Sequence, residues 1–388
     1  MEFIFINLAY NNIFVNNSWL EISTSNLRHN LRQFRGILGR KVLLAPAVKS
    51  NAYGHGMVLV AKVIQREVDW LSVVNLDEAL ELRKNGIKKP ILVLSYYFGD
   101  LGLAVKNNIS LVVYSLASAR AINAAAKKIN KTAKIHFKYD TGTSRLGVVG
   151  ESEALKTIKE IKKYRNIEIE GVFSHFAASE ENQKFTDLQI KRFNSFVAKL
   201  EKAGINILLK HFACSAAALV RPDSRFNLIR LGIGLYGLWP SAAAKKLTLK
   251  IYPKFSLRPV LAWKTRVIAV KYVGKGACIG YGCTYKPARP TKLAILPVGY
   301  FEGYDRHLSN KGEVLINGVR CPVRGRVSMN LTIVEVTKAG PVPVGAEAVL
   351  IGRQGKLEIT AEDLAEKIGT INYEIVARIN PLLPRQLT

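Results

Sequence analysis

"AVKSNAYGHG", residues 47–56, follows directly on "VLLAP", residues 42–46. A continuous apolar run of this length, bounded by turn-forming residues, has the pattern of a buried strand. It ends on Lys49, and lysine is among the residues least often fully buried. Gly54 and Gly56 suit a turn into a following helix, "MVLVAKVIQ". The strand therefore delivers a lysine to its C-terminal end, where parallel α/β folds place their chemistry. Taken alone, Lys49 is equally a solvated strand-end lysine.

Further along, apolar runs of the same kind recur: "DWLSVV", "ILVLS", "SLVVY", "KIHFKY", "IEIEGVF", "INILLKHF" and "FNLIRLGI". Between them lie "LDEALELRKNG", "SLASARAINAAAKKI", "EALKTIKEIKKY" and "FTDLQIKRFNSFVAKLEKAG", with apolar residues three and four apart, the helical period. Before the first run, "STSNLRHNLRQFRGIL" places Leu27, Leu31 and Phe34 on one helix face. Eight runs alternating with helices predict a (β/α)8 barrel; an open doubly wound sheet fits the same alternation. Near residue 255 the character changes. "LRPVLAWKTRVIAVKYV", "KLAILPVGY" and "GEVLINGVRCPVRGRVSMNLTIVEV" are β-branched and punctuated by Gly and Pro, predicting a small mainly-β domain. Thr360-x-x-Asp363 and Gly369 bracket one helix there. The expected organisation is an N-terminal extension over 1–17, a barrel over 18–254 and a β domain over 255–388.

The chain of 388 residues carries 57 Lys+Arg against 29 Asp+Glu, a formal charge of +28. The basic residues are scattered and form no block of five, so a solvated lysine-rich surface is expected rather than a nucleic-acid face. Cys214, Cys278, Cys283 and Cys321 form no CxxC pair and no zinc spacing, and no metal site is expected. They suit a reducing, cytoplasmic compartment better than a disulfide framework. The apolar opening is interrupted by asparagines and is too short for a membrane span.

Polar residues collect where the barrel runs end. Run one gives Lys49 and run five gives Lys138, with Arg145 just beyond. Run six gives Ser174-His175, run seven His211 with Ser215 after it, and run eight Arg230 before "GIG". A rim rich in cations, with open backbone N–H groups at its glycines, would bind a phosphate. A lysine beside it could condense with an aldehyde cofactor. Pyridoxal phosphate uses both features.

These residues carry a resemblance to the alanine racemase family. "AVKSNAYGHG" is similar to its cofactor-lysine motif. The likeness continues in order through "KYDTGTSRLG", "SHFAASE", "CSAA", "IRLGIGLYGLWP", "IGYGCTY", "LPVGYFEGYDR", "GRVSMN" and "GTINYEI". The resemblance implies a pyridoxal-phosphate enzyme interconverting L- and D-alanine with two bases, as a cytoplasmic homodimer that supplies D-alanine for peptidoglycan. Lys49 would carry the cofactor and act as one acid/base; Tyr281, contributed by the partner subunit, would be the other. Tyr53, Ser215, Gly232, Ile233 and Tyr373 would surround the phosphate, and Arg230 would face the ring nitrogen. Arg145 and the Met329 backbone would hold the substrate carboxylate. His175 would stand between Arg230 and Tyr281, and Lys138 would position Arg145. His55, His136 and His211 are expected to be structural.

The two-base chemistry has a physical requirement. A free lysine titrates near ~10.4 and a tyrosine near ~10, and moving each by ~3 units takes ~4 kcal/mol of differential interaction. Neighbouring cations supply this. The chain departs from the family's usual pattern at Ser328-Met329-Asn330, where Cys-Met-Asp is common, and at Thr143-Ser144 and "GYFEG". Those departures leave room for a racemase of other or broader specificity, such as serine. A fold-related decarboxylase and a non-enzymatic cofactor-binding protein are the remaining alternatives.

Overall fold

The computed structural model describes residues 17–388. The expected extension over 1–17 lies outside the described residues, apart from Asn17. The chain divides into two compact units.

The first unit runs from Ser23 to Val260 and holds a parallel sheet of nine strands, eight in the barrel and the short Val148–Val149 paired beside one of them. The barrel strands are β1 (Leu43–Leu44), β2 (Leu71–Val73), β3 (Ile91–Val93), β4 (Ile109–Val113), β5 (Ala133–Asp140), β6 (Ile167–Phe173), β7 (Leu209–His211) and β8 (Leu228–Ile229). Each pairs with its neighbour in sequence, and β8 returns to pair with β1. The last gap is bridged by Ala47 and Ser72: the Val48 N–H donates to the Ser72 carbonyl and the Ser72 N–H to that of Pro46. The sheet is thus a barrel and not an open doubly wound sheet.

Buried apolar strands and capped amphipathic helices explain this arrangement. The five residues of β4 are all buried. Asn75, Ser115, Asn182 and Ser241 each accept a hydrogen bond from the first turn of the helix they precede, satisfying a backbone donor that would otherwise be orphaned. The opening helix, Thr24–Leu38, buries Leu27, Leu31 and Phe34 as its spacing predicts, together with Asn30. Asn30 donates to the carbonyls of Leu235 and Arg258, so its burial carries no unpaired amide hydrogen. Ala45, Trp70, Leu92, Leu209 and Leu228 form a buried cluster drawn from five segments.

The second unit contains Leu261–Leu387 and, unexpectedly, the strand Ser18–Ile22. The sequence reading assigns residues 18–22 to the barrel. Instead they pair antiparallel with Leu261–Arg266 and parallel with Arg385–Leu387. Local sequence does not name a strand's partner. Here every partner lies more than 230 residues away. A seven-stranded sheet and a three-stranded sheet make up the unit. The Thr360–Asp363 capping box and the left-handed Gly369 cap bound Ala361–Ile368.

The cysteine reading requires a correction. Cys278 and Cys283 form a disulfide, while Cys214 and Cys321 are free thiols. A separation of five residues matches no familiar pair motif, and only the turn between them brings the two together. Among the described residues, no helix is long and apolar enough to cross a membrane.

Candidate active site

Lys49 leaves the barrel at the residue after Val48, and there the backbone does something rare. Residues 50–53 all have positive φ, between 53° and 54°. This is one left-handed turn in which none of the four is glycine. Each such residue brings its Cβ close to a carbonyl oxygen, at about 1–2 kcal/mol apiece, so the surroundings must enforce it. They do. Glu78 accepts from the Ser50 N–H at 2.6 Å and the Val74 N–H at 2.9 Å. The Asn51 side chain accepts from the Met57 N–H at 2.9 Å. Nδ1 of the buried His55 lies 3.0 Å from the carbonyls of both Ala52 and Tyr53. His55 thereby supports the turn that follows the lysine.

Tyr53 lies between the lysine and the last strand. Lys49 Nζ is 5.9 Å from the Tyr53 ring centre. A Cβ built on Gly232 would come within 3.0 Å of the Tyr53 hydroxyl oxygen, so glycine keeps that approach open. Ser215 Oγ accepts from the N–H groups of Gly232 (2.8 Å) and Gly234 (3.2 Å). A hydroxyl has two lone pairs and one proton; with both lone pairs engaged, Ser215 retains only a donor. Ile233 follows in the same short turn and is buried.

On the other side of the rim, β5 supplies Lys138 and Asp140. Asp140 accepts from the N–H groups of Gly142, Thr143 and Arg145 at 2.8, 2.7 and 3.2 Å, which folds the loop carrying Arg145. Burial, then Arg230 and Arg145, bring the Lys138 amine down to about 8. Burial and Arg145 likewise push Lys49 below its ordinary value, against an opposing pull from Glu78. Burial, then Arg230, Arg145, Lys138 and Lys49, hold His175 well below the usual histidine range. Cations crowd one another here, and the carboxylate of Asp140 is already committed to its loop.

Arg230 is buried, and both terminal nitrogens of its guanidinium are anchored. It donates to His211 Nδ1 at 2.6 Å, to the Ser174 carbonyl at 2.7 Å and to the Phe212 carbonyl at 3.0 Å; His175 Nδ1 stands at 3.3 Å. A guanidinium only donates, so His211 accepts at Nδ1 and carries its proton on Nε2. That proton points at His136 Nδ1, 2.8 Å away, and His136 in turn reaches Glu170 at 3.3 Å. Glu170 also accepts from Ser110 and Lys134. Two neutral histidines therefore link a buried guanidinium to a buried carboxylate. The expectation that His136 and His211 are merely structural is incomplete. Their signal was a glycine: Gly171 pairs with His136 across β5 and β6, and any Cβ there would collide with the imidazole.

The barrel unit thus brings together Lys49, Tyr53, Lys138, Arg145, His175, Ser215, Arg230, Gly232 and Ile233. Tyr281, Met329 and Tyr373 belong to the second unit. Tyr281 is 71% exposed and Met329 is 55% exposed. Tyr373 is half-buried in the helix Asn372–Ala377. The Met329 carbonyl accepts from the Phe301 N–H at 2.9 Å. Asn330 donates to Glu302 at 2.8 Å, a bond that a carboxylate at position 330 could not make.

The donor set fits pyridoxal phosphate. An electropositive rim with a donor-only serine and a glycine-opened approach suits a phosphate. A lysine of lowered proton affinity suits an aldehyde.

Known proteins share this sequence and fold. The family model described as "Alanine racemase, N-terminal domain" matches residues 22–240, and "Alanine racemase, C-terminal domain" matches residues 260–387. The alanine racemase of Methanococcus maripaludis is 41% identical over 370 residues, covering 95% of this chain and 97% of that protein. The solved structure of alanine racemase from Clostridium difficile 630 superposes with a TM-score of 0.90 at 36% identity, covering 97% and 96% of the two chains. A histidine racemase from Leuconostoc mesenteroides superposes with a TM-score of 0.84 at 27% identity over 96% and 98%. With both domain models matched in order and full-length relatives near 40% identity, this chain belongs to the alanine racemase family.

Proposed function

We infer that this protein is an alanine racemase, an isomerase that interconverts L- and D-alanine, and that it uses pyridoxal phosphate bound in the barrel unit. The observation that carries this reading is the rim where Lys49 stands among Arg145, Lys138 and Arg230, burial and the neighbouring cations together lowering the proton affinity of Lys49, Lys138 and His175. The cofactor, when bound, withdraws electrons from the substrate's α-carbon and makes its hydrogen acidic. The protein supplies everything else.

Lys49 would hold the cofactor and exchange a proton at the α-carbon from one face. Its lowered proton affinity makes a neutral amine available nearer neutral pH. Tyr281 would exchange a proton at the opposite face, so the substrate need not turn over. Ser215, Tyr53, Gly232, Ile233 and Tyr373 would hold the phosphate; Arg145 and the Met329 N–H would hold the substrate carboxylate. Lys138 would fix Arg145, and His175 would link Arg230 with Tyr281. Arg230 would donate to the ring nitrogen without releasing its proton. A carboxylate in that place would keep the nitrogen protonated and the ring a stronger electron sink. An arginine moderates the sink and disfavours side reactions such as transamination.

The same reading includes a homodimer in which Tyr281 comes from the second copy, a cytoplasmic location and a supply of D-alanine for peptidoglycan. The test is a visible spectrum and a racemisation assay on one pure sample. Bound cofactor absorbance with alanine turnover is expected, and Lys49→Ala should abolish both. Colourless, inactive protein after incubation with the cofactor would overturn the reading.

A broader substrate range is a second reading, favoured by Asn330 in place of the usual aspartate and by the likeness to a histidine racemase. Assays over a panel of L-amino acids decide it, and a clear preference for another amino acid would replace alanine.

A further inference from the structure

Tyr281 sits inside a closed ring of chain. Cys278 and Cys283 are joined by a disulfide, with Cα atoms 4.9 Å apart and Ile279-Gly280-Tyr281-Gly282 between them. The tyrosine is exposed, and no side chain among the described residues hydrogen-bonds its hydroxyl. Within its own chain its position is therefore set by the backbone that carries it.

That backbone is unusual. Gly280 and Gly282 have φ of 70° and 72°, and Cys283, which has a Cβ, has φ of 47°. The base of the turn is tied across both sides: Ile279 is buried and its N–H donates to the Tyr285 carbonyl at 3.1 Å, and Asn310 donates to the Thr284 hydroxyl at 3.2 Å. After Tyr281 comes a flexible glycine and then a cysteine in a conformation that L residues resist. The remaining tie within the turn is the Cys283 N–H to the Gly280 carbonyl at 3.4 Å, a long bond. Inside that base, the disulfide is the covalent element that closes the loop around Tyr281.

We propose that the Cys278–Cys283 disulfide is a positioning cross-link for Tyr281, and that cleaving it slows racemisation without disturbing cofactor binding. This rests on the reading of Tyr281 as the second acid/base. A proton acceptor must be held within a fraction of an ångström of its reacting position, since a displacement of about 1 Å can cost on the order of 100-fold in rate. Opening the ring frees two glycines flanking the tyrosine. Cleavage is a two-electron reduction: a small dithiol gives up two electrons and two protons, its sulfurs joining as a cyclic disulfide, while Cys278 and Cys283 become thiols. Both cysteines are exposed in the chain. Cys214 and Cys321 are already thiols and are unchanged by the reagent.

The experiment uses the cofactor-loaded protein in four forms: as isolated, treated with a small dithiol, as the Cys278→Ser/Cys283→Ser double variant, and as Tyr281→Phe. Alkylation and mass spectrometry should count two thiols before reduction and four after. Reduced protein and the double variant should share a kcat about 5–20-fold below the oxidised form, with KM for alanine and the cofactor's visible spectrum unchanged. The double variant should be insensitive to the dithiol. Four thiols in the isolated protein that persist after mild oxidation would overturn the proposal. So would equal kcat in oxidised protein and the double variant, given that Tyr281→Phe is slow. If Tyr281→Phe runs at full speed, the assignment of Tyr281 itself fails, and the cross-link's role with it.

Discussion

Arg230 and His211 share a hydrogen bond of 2.6 Å inside the barrel, with the guanidinium as donor and the imidazole Nδ1 as acceptor. That direction fixes the tautomers of two histidines and ends at Glu170. Arg230 keeps its charge because its neighbours are built to leave it protonated. Burial and Arg145 lower its pKa only to about 10, far above neutrality.

Replacing His211 with leucine should strand one guanidinium N–H and leave His136 without its donor. An unpaired buried polar group costs roughly 1–3 kcal/mol, so urea unfolding should shift by that amount. Racemisation should slow because Arg230 loses its fixed orientation, while cofactor uptake persists. A variant with wild-type stability and rate would show that the histidine pair does not support Arg230.

Glu170 governs stability in acid. Burial alone would raise its pKa, but hydrogen bonds from His136 and Ser110, with Lys134 nearby, bring it to about 2. A carboxyl whose folded pKa is depressed stabilises the fold above its unfolded pKa, near 4.5. That stabilisation is lost as pH falls through the folded value. The wild-type protein should therefore lose stability between about pH 4.5 and 2 through this group, by roughly 1–3 kcal/mol after allowing for solvent screening at the exposed Lys134. Glu170→Gln should flatten that part of the profile in denaturant melts at pH 7, 4.5 and 3. An unchanged slope would remove Glu170 from the account.

If each active site combines Lys49 of one protomer with Tyr281 of another, two inactive variants should rescue each other. Lys49→Ala and Tyr281→Phe chains, mixed, unfolded and refolded together, would form hybrids with one intact site. Random pairing makes half the dimers hybrid, each with one site of two, so about a quarter of wild-type activity should return. No recovery from well-folded mixtures would place both residues in the same chain's site.

Asn330→Asp restores the residue common in the family but sets a carboxylate against Glu302, which now accepts from the Asn330 amide at 2.8 Å. Like charges at that distance raise one partner's proton affinity. Because the pair is partly solvated, thermal melts should record a loss below about 1 kcal/mol at neutral pH, shrinking at acid pH as one carboxyl protonates. A gain in stability at pH 7 would mean that the amide bond is not formed.

Much of this is legible in the amino-acid sequence. Lys49, Lys138, His175, Ser215 and Arg230 stand where apolar runs end, and a strand end is a position that periodicity locates well. The helix from Thr24 and the Thr360 capping box were readable for a similar reason: their signals lie within a few residues. What escaped was non-local. His136 and His211 are 75 residues apart, and only the cavity left by Gly171 lets the two rings meet. The partners of Ser18–Ile22 lie at the far end of the chain. The left-handed turn at residues 50–53 has no glycine to announce it; Glu78, Asn51 and His55 impose it from outside.

Because Ser18–Ile22 lies between Leu261–Arg266 and Arg385–Leu387, the second unit is interrupted in sequence by the whole barrel. Its first strand is synthesised long before the rest and must wait, unpaired, while more than 230 residues emerge. A protein cut near residue 260 would separate that strand from both its neighbours, leaving an open sheet edge on one piece and a detached terminal strand beside it. Any scheme that transplants or swaps this unit between relatives has to carry the short N-terminal segment along with it.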